Sequence, residues 1–342
     1  MIEVDQELAE LMSAVFVEHR RKRSTAPDRT TVPTWDLALW EQLDEVGLAR
    51  LTGSEASGGS GATWFAAAEL LDAAARFGVP TPVVEHDLLA GWLLDEAALP
   101  VDDARRSACV TDEHGIARGV GWASGAEKLV VAWPHAGGHQ VADVDIADVD
   151  VTAGVNMAGE PRDVVAVAVD RLTGVDVPPG VIDRFGLRGA LARAVQSCGA
   201  LDGAVTLSVS HASAREQFGR PLARFQAVAA LVADAAAEAA LARAATEAAL
   251  AAAVHSEWSA PNLAFLIAVA RSCAGRATST VVRNAHQVHG ALGTTQEHGL
   301  HEFTLPALAW CSEFGSVHAW EQRITDAAVD AGADGLWPLI VG

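Results

Sequence analysis

The polar and apolar positions change texture twice along the chain. Residues 1–99 repeat at helical spacing: an acidic amphipathic opening segment, a stretch from the Thr34-Trp35-Asp36 cap through Leu48, then Thr63 to Phe77 and Pro82 to Leu99. From Val101 to Arg184 the pattern becomes valine-rich runs broken by glycine, proline and aspartate, such as Leu129-Val130-Val131-Ala132-Trp133 and Val164 through Val169. Residues of this type in short bounded runs predict strands of an antiparallel sheet or small barrel. After Gly186 the chain is alanine-dense and helical, over 187–213, 221–255, 259–289, 295–311 and 317–331. Long helices joined by short turns predict an antiparallel bundle. The reading is mainly α with a small central β domain: a helical domain over 1–99, a β domain over 100–185 and a bundle over 186–342.

Composition narrows the partners. The 342 residues are 50% hydrophobic, enough to bury more than one core, and carry a net charge of -20. Such a surface repels phosphate backbones and anionic membranes, which argues against nucleic acid and membrane binding. The run Arg20-Arg21-Lys22-Arg23 is the exception and reads as a solvated helix end. Cys109, Cys198, Cys273 and Cys311 are far apart and form no C-x-x-C pair, which speaks against a zinc ribbon and fits a reducing cytoplasm. Acidic residues stand where a signal peptide needs a basic region, and no apolar run reaches the ~18 residues of a membrane span. Tyrosine is absent, so no step can use a phenol as acid, base or radical.

Two glycine-rich stretches look like phosphate loops and are rejected. Ser57-Gly58-Gly59-Ser60-Gly61 lacks the lysine of a P-loop. Gly119-x-Gly121-x-x-Ser124 has no βαβ unit around it.

Two stretches of the bundle carry a resemblance. Arg215-Glu216-Gln217-Phe218-Gly219-Arg220-Pro221 is followed by Phe225-Gln226 and Ala233-Asp234, and Gln287-Val288-His289-Gly290-Ala291-Leu292-Gly293 stands further on. Together they resemble the acyl-CoA dehydrogenase family, whose Gln-x-x-Gly-Gly-x-Gly pattern is met with Ala291 in place of the second glycine. Ser54-Glu55 through Gly61 is a weaker echo of that family's glycine turn before a helix.

The resemblance implies the family's three-domain fold and an FAD held partly across a subunit interface. By position, Arg215, Gln217, Phe218, Gln226, Gln287, Gly290 and Gly293 would contact the flavin. An arginine fork suits a diphosphate, and a glycine turn lets backbone N–H groups approach an anion closely. The implied reaction oxidises an acyl-CoA thioester to the trans-2-enoyl-CoA, with a glutamate removing the α proton. The family keeps that base in one of two places. In the loop after the helix that follows the Gln-x-x-Gly motif this chain offers Glu313; on the first bundle helix it reads Leu187 through Arg193 with no acid.

The family's Thr-Glu-Pro and Gly-Ser-Asp segment has no clear counterpart in the β region, where Thr111 is the nominated remnant. A chain that keeps what serves its neighbour and lacks much of its own flavin site resembles the short subunit of actinobacterial two-gene α2β2 acyl-CoA dehydrogenases. That likeness implies a homologous partner subunit, a bulky substrate such as a steroid side-chain CoA ester, and an electron-transfer flavoprotein as acceptor; a homo-oligomer is the other arrangement. A structural subunit without chemistry, completing a partner's FAD site, is the alternative. A rival class starts from His286 and His289 and from His298 and His301, paired at i, i+3 with Glu297 and Glu302 nearby, a spacing that can hold zinc. Their overlap with the flavin-like motif favours surface and interface histidines, and no metal is expected.

Overall fold

The computed structural model describes residues 4–24, 35–295 and 297–341 of the chain, with the side chains of Arg23 and Ser24 also outside the described set. Thr34 of the expected cap therefore lies outside the described residues, as does the side chain of Arg23 in the basic run. No helix among the described residues is long and apolar enough to cross a membrane. Packing divides the chain into two units, one of residues 1–20, 68–79 and 190–342 and one of residues 21–67 and 80–189.

The second unit holds α2 (Leu37–Glu45), a π-helical turn (Val84–Gly91) running into α4 (Trp92–Glu96), and the strands. Asp36 accepts the Leu39 N–H at 3.0 Å and so starts α2 as the sequence predicts. Helix α3 (Trp64–Arg76) contributes residues to both units. The turn from Ser54 to Gly61 closes on itself. Gly58 N–H donates to Glu55 O, Gly59 N–H to Ser54 O and Gly61 N–H to Gly53 O, so these donors are committed to neighbouring carbonyls.

Strands β1 (Arg106–Val110), β2 (Ile116–Gly121), β3 (Lys128–His135), β4 (Gly138–Asp145), β5 (Asp150–Thr152), β6 (Arg162–Ala166) and β7 (Val175–Val177) form two sheets, ordered β1-β3-β4-β7 and β2-β6-β5. The antiparallel expectation fails at one pair, because β1 runs parallel to β3. The expected run from Val164 to Val169 ends as a strand at Ala166. Gly119 sits where the β2–β6 register shifts between Arg118 and Val120, a bulge rather than a nucleotide turn. Thr111 is buried, with its hydroxyl directed at the Ala132 carbonyl.

The π-helical turn buries three consecutive ionisable side chains, Glu85, His86 and Asp87. His86 accepts the Arg106 N–H at 2.9 Å and lies edge-on to Trp35 and Trp40. Burial, then the charges of Arg106 and Arg50, push its pKa down to about 3. Burial pushes Asp87 up to about 6, opposed by the Thr52 N–H it accepts. The two groups act with opposite sign. A depressed histidine contributes stability above its unfolded value of 6.5 that is lost as pH falls, whereas a raised aspartate contributes stability at low pH that is lost as pH rises through about 6. We therefore expect the destabilisation of His86→Asn relative to the parent, measured by urea unfolding, to be smaller at pH ~5 than at pH ~7 by about 2 kcal/mol. A gap independent of pH would show that His86 takes up its proton as readily in the folded chain as in the unfolded one.

The first unit is the bundle. It contains α1 (Gln6–Ser24), most of α5 (Val181–Ala214), a hairpin of β8 (Glu216–Gln217) and β9 (Arg220–Pro221), α6 (Gln226–His255), α7 (Leu263–His289), α8 (His301–Trp310) and α9 (Val317–Val341). Helix α6 starts at Gln226 rather than 221 because the hairpin occupies the preceding residues, and α8 starts at His301 rather than 295. Helix α9 runs past the expected 331, broken at Gly332 by a positive φ of 63°. The core is built mostly of alanines, closed by Leu300, Phe303 and Trp310. Alanine lets the helices approach closely, and Gly203 extends this: a Cβ there would meet the Phe303 ring at 2.5 Å. Arg20 is not a solvated helix end. It pairs with Glu302 at 2.6 Å and lies over the Phe303 ring, so the basic run begins with an anchor.

Candidate functional site

Helix α5 ends at Ala214, and the next residues turn back as a hairpin with Glu216 opposite Pro221 and Gln217 opposite Arg220. Its loop is Phe218-Gly219, both with positive φ, at 52° and 77°. Two such residues make the tight hairpin turn whose twist matches its strands. Phenylalanine is a costly occupant of that conformation, by about 1–3 kcal/mol. Nothing among the described residues covers the ring in return, since Phe218 is 91% exposed. It meets the Phe225 ring edge-on at 6.1 Å, and Arg220, on the other strand, lies 4.1 Å over the Phe225 ring just before α6.

The second predicted segment forms the last turn of α7 and a 3-10 turn over Gly290–Thr294. Gly290 adopts φ 59°, ψ -145°, a conformation that favours glycine. A side chain at Gly293 would meet the Cβ of His289 at 2.8 Å. Of the seven residues predicted to face a cofactor, Arg215, Gln217, Phe218, Gln226, Gln287 and Gly290 are exposed, and Gly293 is buried as the packing glycine of its turn. Asn284 fixes α7 against α6 through bonds to Leu231 O at 3.0 Å and Asp234 Oδ2 at 2.9 Å.

The two segments meet at histidines. His211, one turn before Arg215, stacks at 4.4 Å on His289, whose ring lies 4.5 Å from His298. The i, i+3 pairing read from the sequence is only half right. His289 and His298 converge, His301 turns its Nδ1 to the His298 carbonyl, and the third member is His211. His211 was missed because nothing local in the sequence marks its place on α5 as facing the distant turn.

Glu313 lies in the turn after α8, as predicted, but its surroundings are those of an ion pair. Arg193 Nε donates to Glu313 Oε2 at 2.7 Å, with the arginine side chain 3% and the carboxylate 15% exposed. Arg193 also donates to Gln196 Oε1 at 2.6 Å. Buried Arg271 clamps the turn by donating to Trp310 O at 2.7 Å and Glu313 O at 2.9 Å, and burial lowers its own pKa to about 10. Arg193 belongs to the stretch of the first bundle helix where the sequence shows no acid. No local pattern in the sequence pairs Arg193 with Glu313, which lies 120 residues away.

Residues 184–310 match the family described as acyl-CoA dehydrogenase, C-terminal domain. The chain is 28% identical over 306 residues to acyl-CoA dehydrogenase IpdE2 of Mycobacterium tuberculosis, covering 86% of this chain and 88% of that protein. Its fold matches a chain of the ChsE4-ChsE5 complex from Mycobacterium tuberculosis with a TM-score of 0.84 at 21% identity, covering 97% and 100% of the two chains. It also matches the Tcur3481-Tcur3483 steroid ACAD, with a TM-score of 0.81 at 24% identity, over 95% and 97%.

Proposed function

We propose, for a chain that belongs to the acyl-CoA dehydrogenase family, that it works as one subunit of a heteromeric FAD-dependent enzyme and presents its hairpin and its Gln287–Gly293 turn to the flavin of a neighbouring subunit. The observation that carries this is Phe218. A strained, almost fully exposed aromatic at the tip of a two-residue turn is explained by a surface it meets outside its own chain. The residues present suit the group. Arg215 supplies a directed cation for a diphosphate, Phe218 an aromatic face, and Gly290 a backbone that a ligand can approach without a side chain in the way. FAD, when bound, accepts the hydride equivalent from the β carbon of the substrate.

The reaction is α,β-dehydrogenation of an acyl-CoA thioester to the trans-2-enoyl-CoA, in the cytoplasm, with electrons passed to an electron-transfer flavoprotein. A complex of two named chains and a steroid ACAD among the fold neighbours support an α2β2 assembly and a bulky steroid side-chain substrate. Glu313 serves as the base in this reading provided that its carboxylate leaves Arg193 to reach the α carbon. The pair itself favours a second reading, a subunit that completes the partner's flavin site without performing chemistry, because proton uptake at Glu313 costs an ion pair at 2.7 Å.

Flavin absorbance decides the assembly. We expect the chain to be colourless alone and yellow when co-purified with a longer acyl-CoA dehydrogenase chain of the same genome, with fewer flavins than chains. A yellow preparation of the chain alone that forms enoyl-CoA would establish a homomeric enzyme instead.

A further inference from the structure

We propose that His211, His289 and His298 form a site for a divalent transition metal of the zinc type, with three imidazoles and an open fourth position. One ring nitrogen from each lies within 4.8 Å of the others, although the residues come from α5, the end of α7 and the loop before α8. A tetrahedral zinc with bonds of 2.0–2.1 Å needs ligand nitrogens about 3.4 Å apart. His211 and His298 are half-buried and stand at a helix end and in a loop, where side-chain rotation supplies the missing distance.

The hydrogen-bond network prepares the central ligand. Ser208 Oγ donates its proton to Ala204 O at 2.8 Å, so its 3.3 Å contact with His289 Nε2 requires the imidazole to be the donor. His289 therefore carries its proton on Nε2 and keeps a bare lone pair on Nδ1. That Nδ1 is buried and has no hydrogen-bond partner among the described residues, in a residue only 5% exposed. An orphaned buried acceptor costs about 1–3 kcal/mol, and a metal removes that cost. Ser208 plays the part that outer-shell groups play for metal-bound histidines, fixing tautomer and ring orientation. His298 accepts the Leu300 N–H on Nδ1 at a long 3.3 Å, a bond exchanged for the metal bond.

The chemistry of the ligands agrees. Burial, followed by neighbouring positive charge, lowers the pKa of all three histidines and takes His289 to about 4, so the imidazoles are neutral near pH 7. Neutral imidazole is the form that binds zinc, copper or nickel. The metal would tie the end of α5, which carries the hairpin, to the turn of residues 287–293. It is thus placed to hold the two cofactor-facing segments in register, and it takes no part in the dehydrogenation.

The test uses the tag-free full-length chain, with its partner if it is isolated as a complex, dialysed against a chelator and then against zinc or cobalt. We expect one metal per chain, tetrahedral cobalt bands in the visible spectrum and a rise in Tm with zinc. His211→Asn and His298→Asn should each weaken binding by more than about tenfold and abolish the cobalt bands, while His286→Asn leaves both intact. Absence of stoichiometric metal, or metal retained unchanged in both His211→Asn and His298→Asn, would overturn the site. Circular dichroism of the metal-free variants, expected to match the parent, separates ligand loss from misfolding.

Discussion

Arg193→Met is expected to destabilise the chain by about 3–5 kcal/mol, the effect of leaving one member of a buried ion pair without its partner. The Glu313 carboxylate is 15% exposed, and its turn is fixed by Arg271 and by the positive φ of Phe314 and Gly315, so it cannot swing freely into water. Glu313→Leu should cost a similar amount, because Arg193 is 3% exposed. The double substitution Arg193→Met with Glu313→Leu should recover most of the loss, since well-packed apolar residues often replace a buried pair at little or no cost. Urea midpoints of the four proteins close the cycle. Additive losses would mean that the two side chains do not interact in solution. The same pair decides the catalytic reading in the assembled enzyme. Glu313→Gln should lower kcat by about 10²–10⁴-fold with flavin still bound if Glu313 is the base. A kcat within a few-fold of the parent, with lowered Tm, would assign it to holding the turn against α5 and leave proton abstraction to the partner chain.

That ambiguity shows where sequence reading stops. The order of helical, β and helical segments is carried by local periodicity and composition, and both are printed along the chain. The Arg215–Pro221 segment is legible as a motif because its residues are contiguous, while its folding into a hairpin is not. What stayed hidden depends on helices meeting at long range. Arg193 and Glu313 are 120 residues apart, and Ser208 and His289 are 81 apart, with no local pattern to announce either contact. The β region hid its pairing for a different reason. Strand β3 buries Leu129 through Trp133 in succession, so the alternation that would reveal its two faces is absent, and its parallel neighbour β1 could not be read from it. The π-helical turn was equally silent, because burial of Glu85, His86 and Asp87 in a row contradicts the amphipathic spacing expected of a helix.

Phe218→Gly is expected to separate stability from function. Glycine adopts φ 52° without penalty, so the substitution should raise the Tm of the chain alone by relieving about 1–3 kcal/mol of backbone strain, less the entropy glycine adds to the unfolded chain. Among the described residues the ring meets Phe225 edge-on at 6.1 Å and is otherwise exposed, so little packing is lost with it. In the assembled complex the same change should weaken flavin retention by roughly 30-fold, the equivalent of about 2 kcal/mol for an anchoring aromatic at an interface. Arg215→Ala should weaken retention to a similar degree and more at low ionic strength than at high, because its contribution to a diphosphate is a charge-assisted bond that salt screens. Removing both should release the flavin on gel filtration while the chains of the complex still co-elute, since two side chains are a small part of a stable subunit interface. Flavin occupancy is read from absorbance at fixed protein concentration. If Phe218→Gly stabilises the chain and leaves occupancy intact, the exposed ring serves contact between subunits and not the cofactor. If it destabilises the chain, the hairpin is packed against something within its own subunit and the strain has a structural cause.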